Sequence, residues 1–136
     1  MNNNPKMELR PRQVGPWGMN TYALICPATK ESVLFDPGAE PETLQAMLAG
    51  STPIAILLTH THPDHVGALA EMQQRLDVPL MAHPGPHHSD VNDLQADGWL
   101  NDGDKVQVGE HTLRVHYAPG HIGDQICFAI EGDNRV

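Results

Sequence analysis

Apolar residues come along this chain in short runs set apart by turn-forming residues, and the spacing inside each run predicts an element. Tyr22 to Cys26 and Ser32 to Phe35 flank the polar stretch Pro27 to Glu31, which predicts two antiparallel strands joined by a short loop. Asp36-Pro37-Gly38 then ends the second strand. Pro41 near a helix start, Leu44, Met47 and Leu48 at helical spacing, and Gly50 just past the end predict a helix over 41–49. Ile54 to Leu58 is apolar without alternation, as expected of a central strand covered on both faces. Val66, Leu69, Met72 and Leu76 mark another helix and Val78 to Ala82 a further strand, so this stretch reads as a parallel strand-helix-strand crossover.

The second part of the chain has a different rhythm. From 84 to about 101 it is rich in proline, glycine and aspartate, which suggests a long surface loop or an irregular helix. Asp102-Gly103-Asp104 reads as a turn, Lys105 to Val108 as a strand, and Gly109-Glu110 as a tight turn. Thr112 to Tyr117 reads as a strand with Leu113, Val115 and Tyr117 alternating, and Ile126 to Ile130 as the next strand. Glu131 to Asn134 signals a hairpin, but only Arg135 and Val136 follow, so a hairpin is opened and not closed.

Composition narrows the class. A chain of 136 residues, 40% hydrophobic and 18% charged, is the size of one α/β domain, expected to be incomplete at its C-terminus and flexible over 1–12. A formal net charge of -9 with only eight Lys and Arg disfavours a phosphate backbone, so no nucleic-acid partner is expected. Met1 to Lys6 lacks the apolar core of a signal peptide, and no run approaches the roughly 20 residues that span a bilayer. A cytoplasmic protein with no membrane contact is the expectation. Cys26 and Cys127 each sit in an apolar run and read as buried thiols rather than a disulfide.

The candidate chemistry follows the apolar run Ile54 to Leu58. Thr59-His60-Thr61-His62-Pro63-Asp64-His65 packs three imidazoles and a carboxylate into one short segment. In extended chain, residues two apart point the same way, so His60 and His62 can face one ion, and Pro63 keeps His62 out of helical angles. Asp64 and His65 are displaced enough to face a second ion. Imidazole and carboxylate suit Zn²⁺, Fe²⁺ or Mn²⁺, and a site with three protein ligands leaves a position for water that can ionise near neutral pH. Two such ions can share that hydroxide and stabilise an oxyanion, which makes hydrolysis the natural chemistry.

His60-x-His62-x-Asp64-His65 after an apolar strand is similar to the signature of the metallo-β-lactamase superfamily. Asp36-Pro37-Gly38 resembles that family's upstream Asp-containing turn, and Pro119-Gly120-His121 its downstream ligand turn. The resemblance implies an αββα sandwich, of which this chain supplies the first half and part of the second. It further implies that His60, His62 and His121 hold the first metal and that Asp64 and His65 contribute to the second, with Asp36 orienting the loop from behind. Zinc, as one or two ions, is the implied cofactor, with Fe²⁺ or Mn²⁺ as alternatives. The resemblance runs from about Val14 to the end, and the family's bridging Asp and final His have no counterpart in it. Asp133 comes too soon after His121 to be that bridge, and Ile122 to Gln125 replaces a Thr- and Gly-containing stretch, which leaves the branch open.

The leading reading is a glyoxalase II-like (hydroxyacylglutathione hydrolase-like) enzyme, in which metal-bound hydroxide attacks a small ester or thioester and Asp64 orients or deprotonates the water. The alternatives of the same fold are an iron-dependent persulfide dioxygenase, a lactonase and a β-lactamase; the acidic charge weighs against an RNA-processing nuclease. An inactive, truncated metal-binding fragment is the non-enzyme alternative. His83, His87 and His88 read as loop residues, and His111 and His116 as strand or strand-flanking residues.

Overall fold

Alternate side chains of the central strands enter two separate cores, which is why their apolar runs show no polar face. A computed structural model describes residues 7–15, 19–59, 68–82, 96–117 and 126–130. Six strands form the first sheet in the order β1 (Glu8–Val14), β2 (Met19–Ile25), β3 (Glu31–Phe35), β4 (Thr52–Leu57), β5 (Leu80–Ala82) and β6 (Gly98–Trp99). The pairs β1/β2 and β2/β3 are antiparallel, while β3/β4, β4/β5 and β5/β6 are parallel. The second sheet is antiparallel, with β7 (Lys105–Val108), β8 (His111–Tyr117) and β9 (Ile126–Ile130) in that order. Among the described residues two helices, α1 (Pro41–Met47) and α2 (Leu69–Leu76), supply the crossovers from β3 to β4 and from β4 to β5.

Between the sheets, Val33, Phe35, Ala55 and Leu57 meet Val108, Leu113, Val115 and Phe128. On the other face Leu34, Ile56, Leu58 and Leu80 meet Leu44 and Met47 of α1 and Leu69 and Met72 of α2. Burying each such Leu or Ile contributes about 1.5–3 kcal/mol, so β3 and the second half of β4, buried on both faces, are firmly held. Phe35 and Phe128 add an edge-to-face contact between the sheets, with centroids 5.1 Å apart and planes at 66°. Phe35 is also the residue that precedes Asp36, so this contact fixes the strand end from which the Asp-containing turn leaves.

The sheets are latched at the far end of β3 and β8. Gly109, between β7 and β8, has φ 59 and donates its N–H to Glu31 Oε1 at 2.9 Å, while Glu110 N–H points at Cys26 Sγ at 3.5 Å. Burial alone pushes the Cys26 thiol up, but hydrogen bonds from Glu110, Thr29 and Ala28 outweigh it and hold the thiol below its ordinary value.

Three expectations change. Residues 8–12 belong to β1, paired along its whole length from Glu8↔Ile25 to Val14↔Met19, where flexible chain is the sequence reading. Alternating polar residues and Pro11 are tolerated there because β1 is an edge strand. Arg10 secures it by donating to the carbonyls of Met47, the last residue of α1, and Ala49, just beyond it, at 2.9 and 3.0 Å. Within the stretch 84–101, Gly98–Trp99 is a short strand, and 83–95 lies outside the described residues. Cys127 is exposed rather than buried, because β9 sends Ile126, Phe128 and Ile130 inward and Cys127 outward; Cys26 is buried as expected. Among the described residues no helix is long and apolar enough to cross a membrane.

Candidate metal centre

Several strand ends converge at the opposite end of the sandwich from the latch. β3 ends at Asp36, which takes a left-handed φ of 52 that Asp tolerates better than most side chains, and its N–H bonds the Leu57 carbonyl at 3.1 Å. The Asp36 carboxylate is buried, with 3% exposure for the residue, and both its oxygens engage the end of β4. Oδ1 accepts the Thr59 N–H at 2.8 Å and Oδ2 the Thr59 hydroxyl at 2.6 Å. Hydrogen bonds to an ionised acceptor are the strong kind, so the chain direction at Thr59, immediately before His60, is set from beneath.

The downstream flank of the same segment returns to the same turn, since Ala68 N–H donates to the Pro37 carbonyl at 2.9 Å. Thr59 and Ala68, the described residues on either side of 60–67, are therefore both bonded to the Asp36-Pro37 turn. Segment 118–125 is flanked by Tyr117 and Ile126, which pair with each other across β8 and β9, and Ile126 N–H donates to the Thr59 carbonyl at 2.7 Å. Segment 83–95 leaves from the same end, because β5 runs parallel to β4 and Leu58 N–H bonds the Met81 carbonyl at 3.1 Å. Tyr117 is held further by its N–H to Asp102 Oδ1 at 2.9 Å, and Leu100 N–H bonds the Ala82 carbonyl at 2.7 Å.

Every histidine of the chain except His111 and His116 belongs to one of these three segments. His60, His62, Asp64, His65 and His121 lie outside the described residues, as do His83, His87 and His88. Asp36 is the site residue that the structure describes. Both its oxygens accept from Thr59, the residue that precedes the histidine segment. Among the described residues no group of three or more His, Cys, Asp or Glu is arranged to hold a metal. Imidazoles with one carboxylate, the donor types expected of the sequence, suit a divalent transition ion. His111 and His116 sit in β8, where Nε2 of His111 is buried without a hydrogen-bond partner and His116 is exposed.

Sequence reasoning missed Thr59, Asp102 and Tyr117 as parts of this end of the fold. Thr59 borders the histidine segment and was open to notice; its partnership with Asp36 depends on the parallel register of β3 and β4 and is not visible in a linear pattern.

Comparison with known proteins agrees with this geometry. The family model described as "Metallo-beta-lactamase superfamily" matches residues 15–136. A "Probable metallo-hydrolase YqgX" of Bacillus subtilis (strain 168) is 29% identical, the match covering 96% of this chain and 69% of that protein. A "Hydroxyacylglutathione hydrolase" of Bradyrhizobium sp. strain BTAi1 is 36% identical over 85% of this chain, but this covers only 44% of the relative's length. Among solved structures, ETHE1 from Myxococcus xanthus superposes with a TM-score of 0.78 at 27% identity, covering 91% of this chain and 54% of that one. TTHA1623 in a di-iron-bound form superposes with a TM-score of 0.70 at 30% identity, covering 89% of this chain and 69% of that one. A helix layer on one sheet packed against a second sheet, and a family model that matches nearly the whole chain, lead to one assignment: the chain belongs to the metallo-β-lactamase superfamily.

Proposed function

We propose that this chain is the metal-binding part of a hydrolase that cleaves an ester or thioester bond in a small molecule, in the manner of the hydroxyacylglutathione hydrolases it resembles. The observation that carries the reading is the double anchorage of segment 60–67 on the Asp36-Pro37 turn, by Thr59 at one flank and Ala68 at the other. Such anchorage fits a segment whose side chains must keep a fixed direction, as ligands must. His60, His62 and His121 are assigned to one ion, and Asp64 and His65 to a second, with zinc as the first choice. When bound, the ion supplies Lewis acidity and brings the ionisation of water down towards neutral pH.

The chain's own groups have distinct parts. Asp36 holds Thr59 and thereby aims the histidine segment, and its burial keeps it from competing as a ligand. Asp64 orients the attacking water and takes its proton on a carboxylate oxygen. The formal net charge of -9 fits a small-molecule substrate better than a polyanion. A free buried thiol at Cys26 is in keeping with work in a reducing compartment, and we place the protein in the cytoplasm.

A second reading uses the same donors with a single iron, as a persulfide dioxygenase, and the similarity to ETHE1 from Myxococcus xanthus supports it. The two are separated by metal analysis of the purified protein combined with two assays. Zinc with release of thiol from an acyl thioester supports the hydrolase. Iron with oxygen uptake on a persulfide, and no thioester cleavage, overturns it.

A further inference from the structure

The peptide link between Phe35 and Asp36 is held from both sides. Its N–H, on Asp36, donates to the Leu57 carbonyl of β4 at 3.1 Å, and its C=O, on Phe35, accepts the Thr21 hydroxyl of β2 at 2.5 Å. The ladder between β2 and β3 ends at the pair Tyr22↔Phe35, so a side chain takes over where backbone pairing stops. Thr21 is fully buried, and the other buried polar residues among the described ones are Asp36 itself and Ser32. A clamped, planar peptide fixes the direction of the N–Cα bond of Asp36, about which the left-handed φ of 52 is then taken. Together these set where the Asp36 carboxylate points, and it accepts from the N–H and hydroxyl of Thr59 at 2.8 and 2.6 Å. The Thr59 carbonyl in turn accepts the Ile126 N–H at 2.7 Å, so a run of hydrogen bonds crosses from β2 through the ends of β3 and β4 to β9.

We propose that Thr21 is a positioning residue: by holding the Phe35 carbonyl it fixes the Asp36 carboxylate on Thr59, and so tunes metal affinity without touching the ion. The proposal rests on the metal-dependent hydrolase reading above. Losing the hydroxyl leaves the Phe35 carbonyl short of a donor in a buried place and lets the peptide plane turn. The carboxylate then no longer meets both donors of Thr59 in the same geometry. The effect falls on Thr59 and not only on overall stability, which separates this part from that of a hydroxyl that merely satisfies the fold.

The test compares Thr21→Val, which keeps the shape and removes the hydroxyl, with Thr21→Ser, which keeps the hydroxyl. Ser32→Ala is the control, since its hydroxyl is equally buried, 2.9 Å from that of Ser51, but stands towards the opposite end of β3. In Thr21→Val the Thr59 amide, followed by hydrogen exchange, should exchange roughly tenfold faster, as expected of one weakened hydrogen bond. Zinc affinity, by chelator competition, should fall about three- to tenfold, less than for a group bonded directly to a ligand. Thr21→Ser should restore both, and Ser32→Ala should lower the urea midpoint and change neither. Adding Thr21→Val to Asp36→Asn should weaken zinc binding by no more than about twofold beyond Asp36→Asn alone, because Thr21 acts through that carboxylate. Unaltered zinc affinity in Thr21→Val, a loss that Ser32→Ala matches, full additivity with Asp36→Asn, or no zinc binding by the unmodified protein overturns the proposal. The expected pattern in a protein that cleaves no acyl thioester would instead remove the hydrolase reading and leave Thr21 in its part.

Discussion

Asp36 and Thr59 meet across the ends of adjacent parallel strands, and both oxygens of the buried carboxylate accept from this threonine, one from its N–H at 2.8 Å and one from its hydroxyl at 2.6 Å. The pair sets the direction of the backbone entering the histidine segment. Asn adopts left-handed backbone at least as readily as Asp, so Asp36→Asn tests the interaction with the φ of 52 left intact. A threonine hydroxyl can rotate to accept from an amide, which saves one hydrogen bond but loses the charge. Metal affinity is expected to fall about tenfold in Asp36→Asn and about 100-fold in Asp36→Ala, the latter also losing about 1–3 kcal/mol of stability. Competition with a chromophoric chelator and urea unfolding measure the two effects. Unaltered metal affinity in both variants would detach Asp36 from the site.

Gly109 is the position where the latch admits no side chain. A Cβ there would come within 2.6 Å of Cys26 Cβ and Sγ, closer still to the Thr29 hydroxyl, on a backbone with φ 59. Gly109→Ala is expected to cost about 2–4 kcal/mol, the sum of left-handed strain and overpacking. Gly50 is the control, since its φ is 81 but nothing lies within 4 Å, so Gly50→Ala should lose only the strain, roughly 1–2 kcal/mol. Adding Thr29→Ala to Gly109→Ala should restore only part of the loss, because Cys26 is still in the way. Urea midpoints rank the four proteins, and equal losses at Gly50 and Gly109 would show that the latch has slack.

The elements legible in the sequence are those whose pattern is set by burial. β3 and β4 read as unbroken apolar runs because they feed two cores, and β7 and β8 read as alternation because one face is wet. β9 misled for the same reason: its outward residues, Cys127 and Ala129, are small and apolar, so a strand with one exposed face looks like a strand buried on both. β1 was illegible because an edge strand can be polar, and β6 because two residues carry no period. The histidine segment stood out by composition. Its anchor did not, because Asp36 and Thr59 are brought together by register between strands and not by spacing along the chain.

Arg75 ties the two helices together and gives a pH test. Its guanidinium donates to Glu71 at 2.5 Å within α2, and to Gln45 at 2.8 Å and Glu42 at 3.1 Å on α1. The backbone N–H of Glu42 first, and Arg75 second, hold the Glu42 carboxyl below its ordinary value of 4.5. A depressed carboxylate contributes stability that is fully present above the unfolded value and is lost as pH falls through the folded one. Arg75→Met keeps the apolar stem and removes the charge, so it should lower the urea midpoint slightly near neutral pH. That difference should shrink as pH drops below 4.5, and also in molar salt, because these groups are exposed. A difference that stays constant down to pH values where carboxylates are protonated would mean that packing, not charge, is what Arg75 supplies.

The ligand assignment itself is tested by comparing His62→Ala with His88→Ala. Both residues lie outside the described residues, and both belong to segments that leave the same end of the sandwich, so proximity to that end does not distinguish them. What distinguishes them is the framing of each segment. His62 stands two residues from His60 in a segment whose two flanks, Thr59 and Ala68, are bonded to one turn, whereas His88 stands beside His87 in a proline-rich stretch between Ala82 and Ala96. Loss of one nitrogen from a three-imidazole set leaves an ion with too few protein donors to hold it against a competing chelator, and the affinity should fall by more than the 10- to 100-fold typical of a residue acting through a ligand. His88→Ala should bind metal within about twofold of the unmodified protein. His62→Cys adds a check on chemistry, since a thiolate can replace the imidazole for zinc and should recover much of the binding lost in His62→Ala. Metal content by atomic emission after dialysis, with chelator competition for affinity, reads all three. Equal metal loss in His62→Ala and His88→Ala would show that the segment after β4 is not where the ion is held.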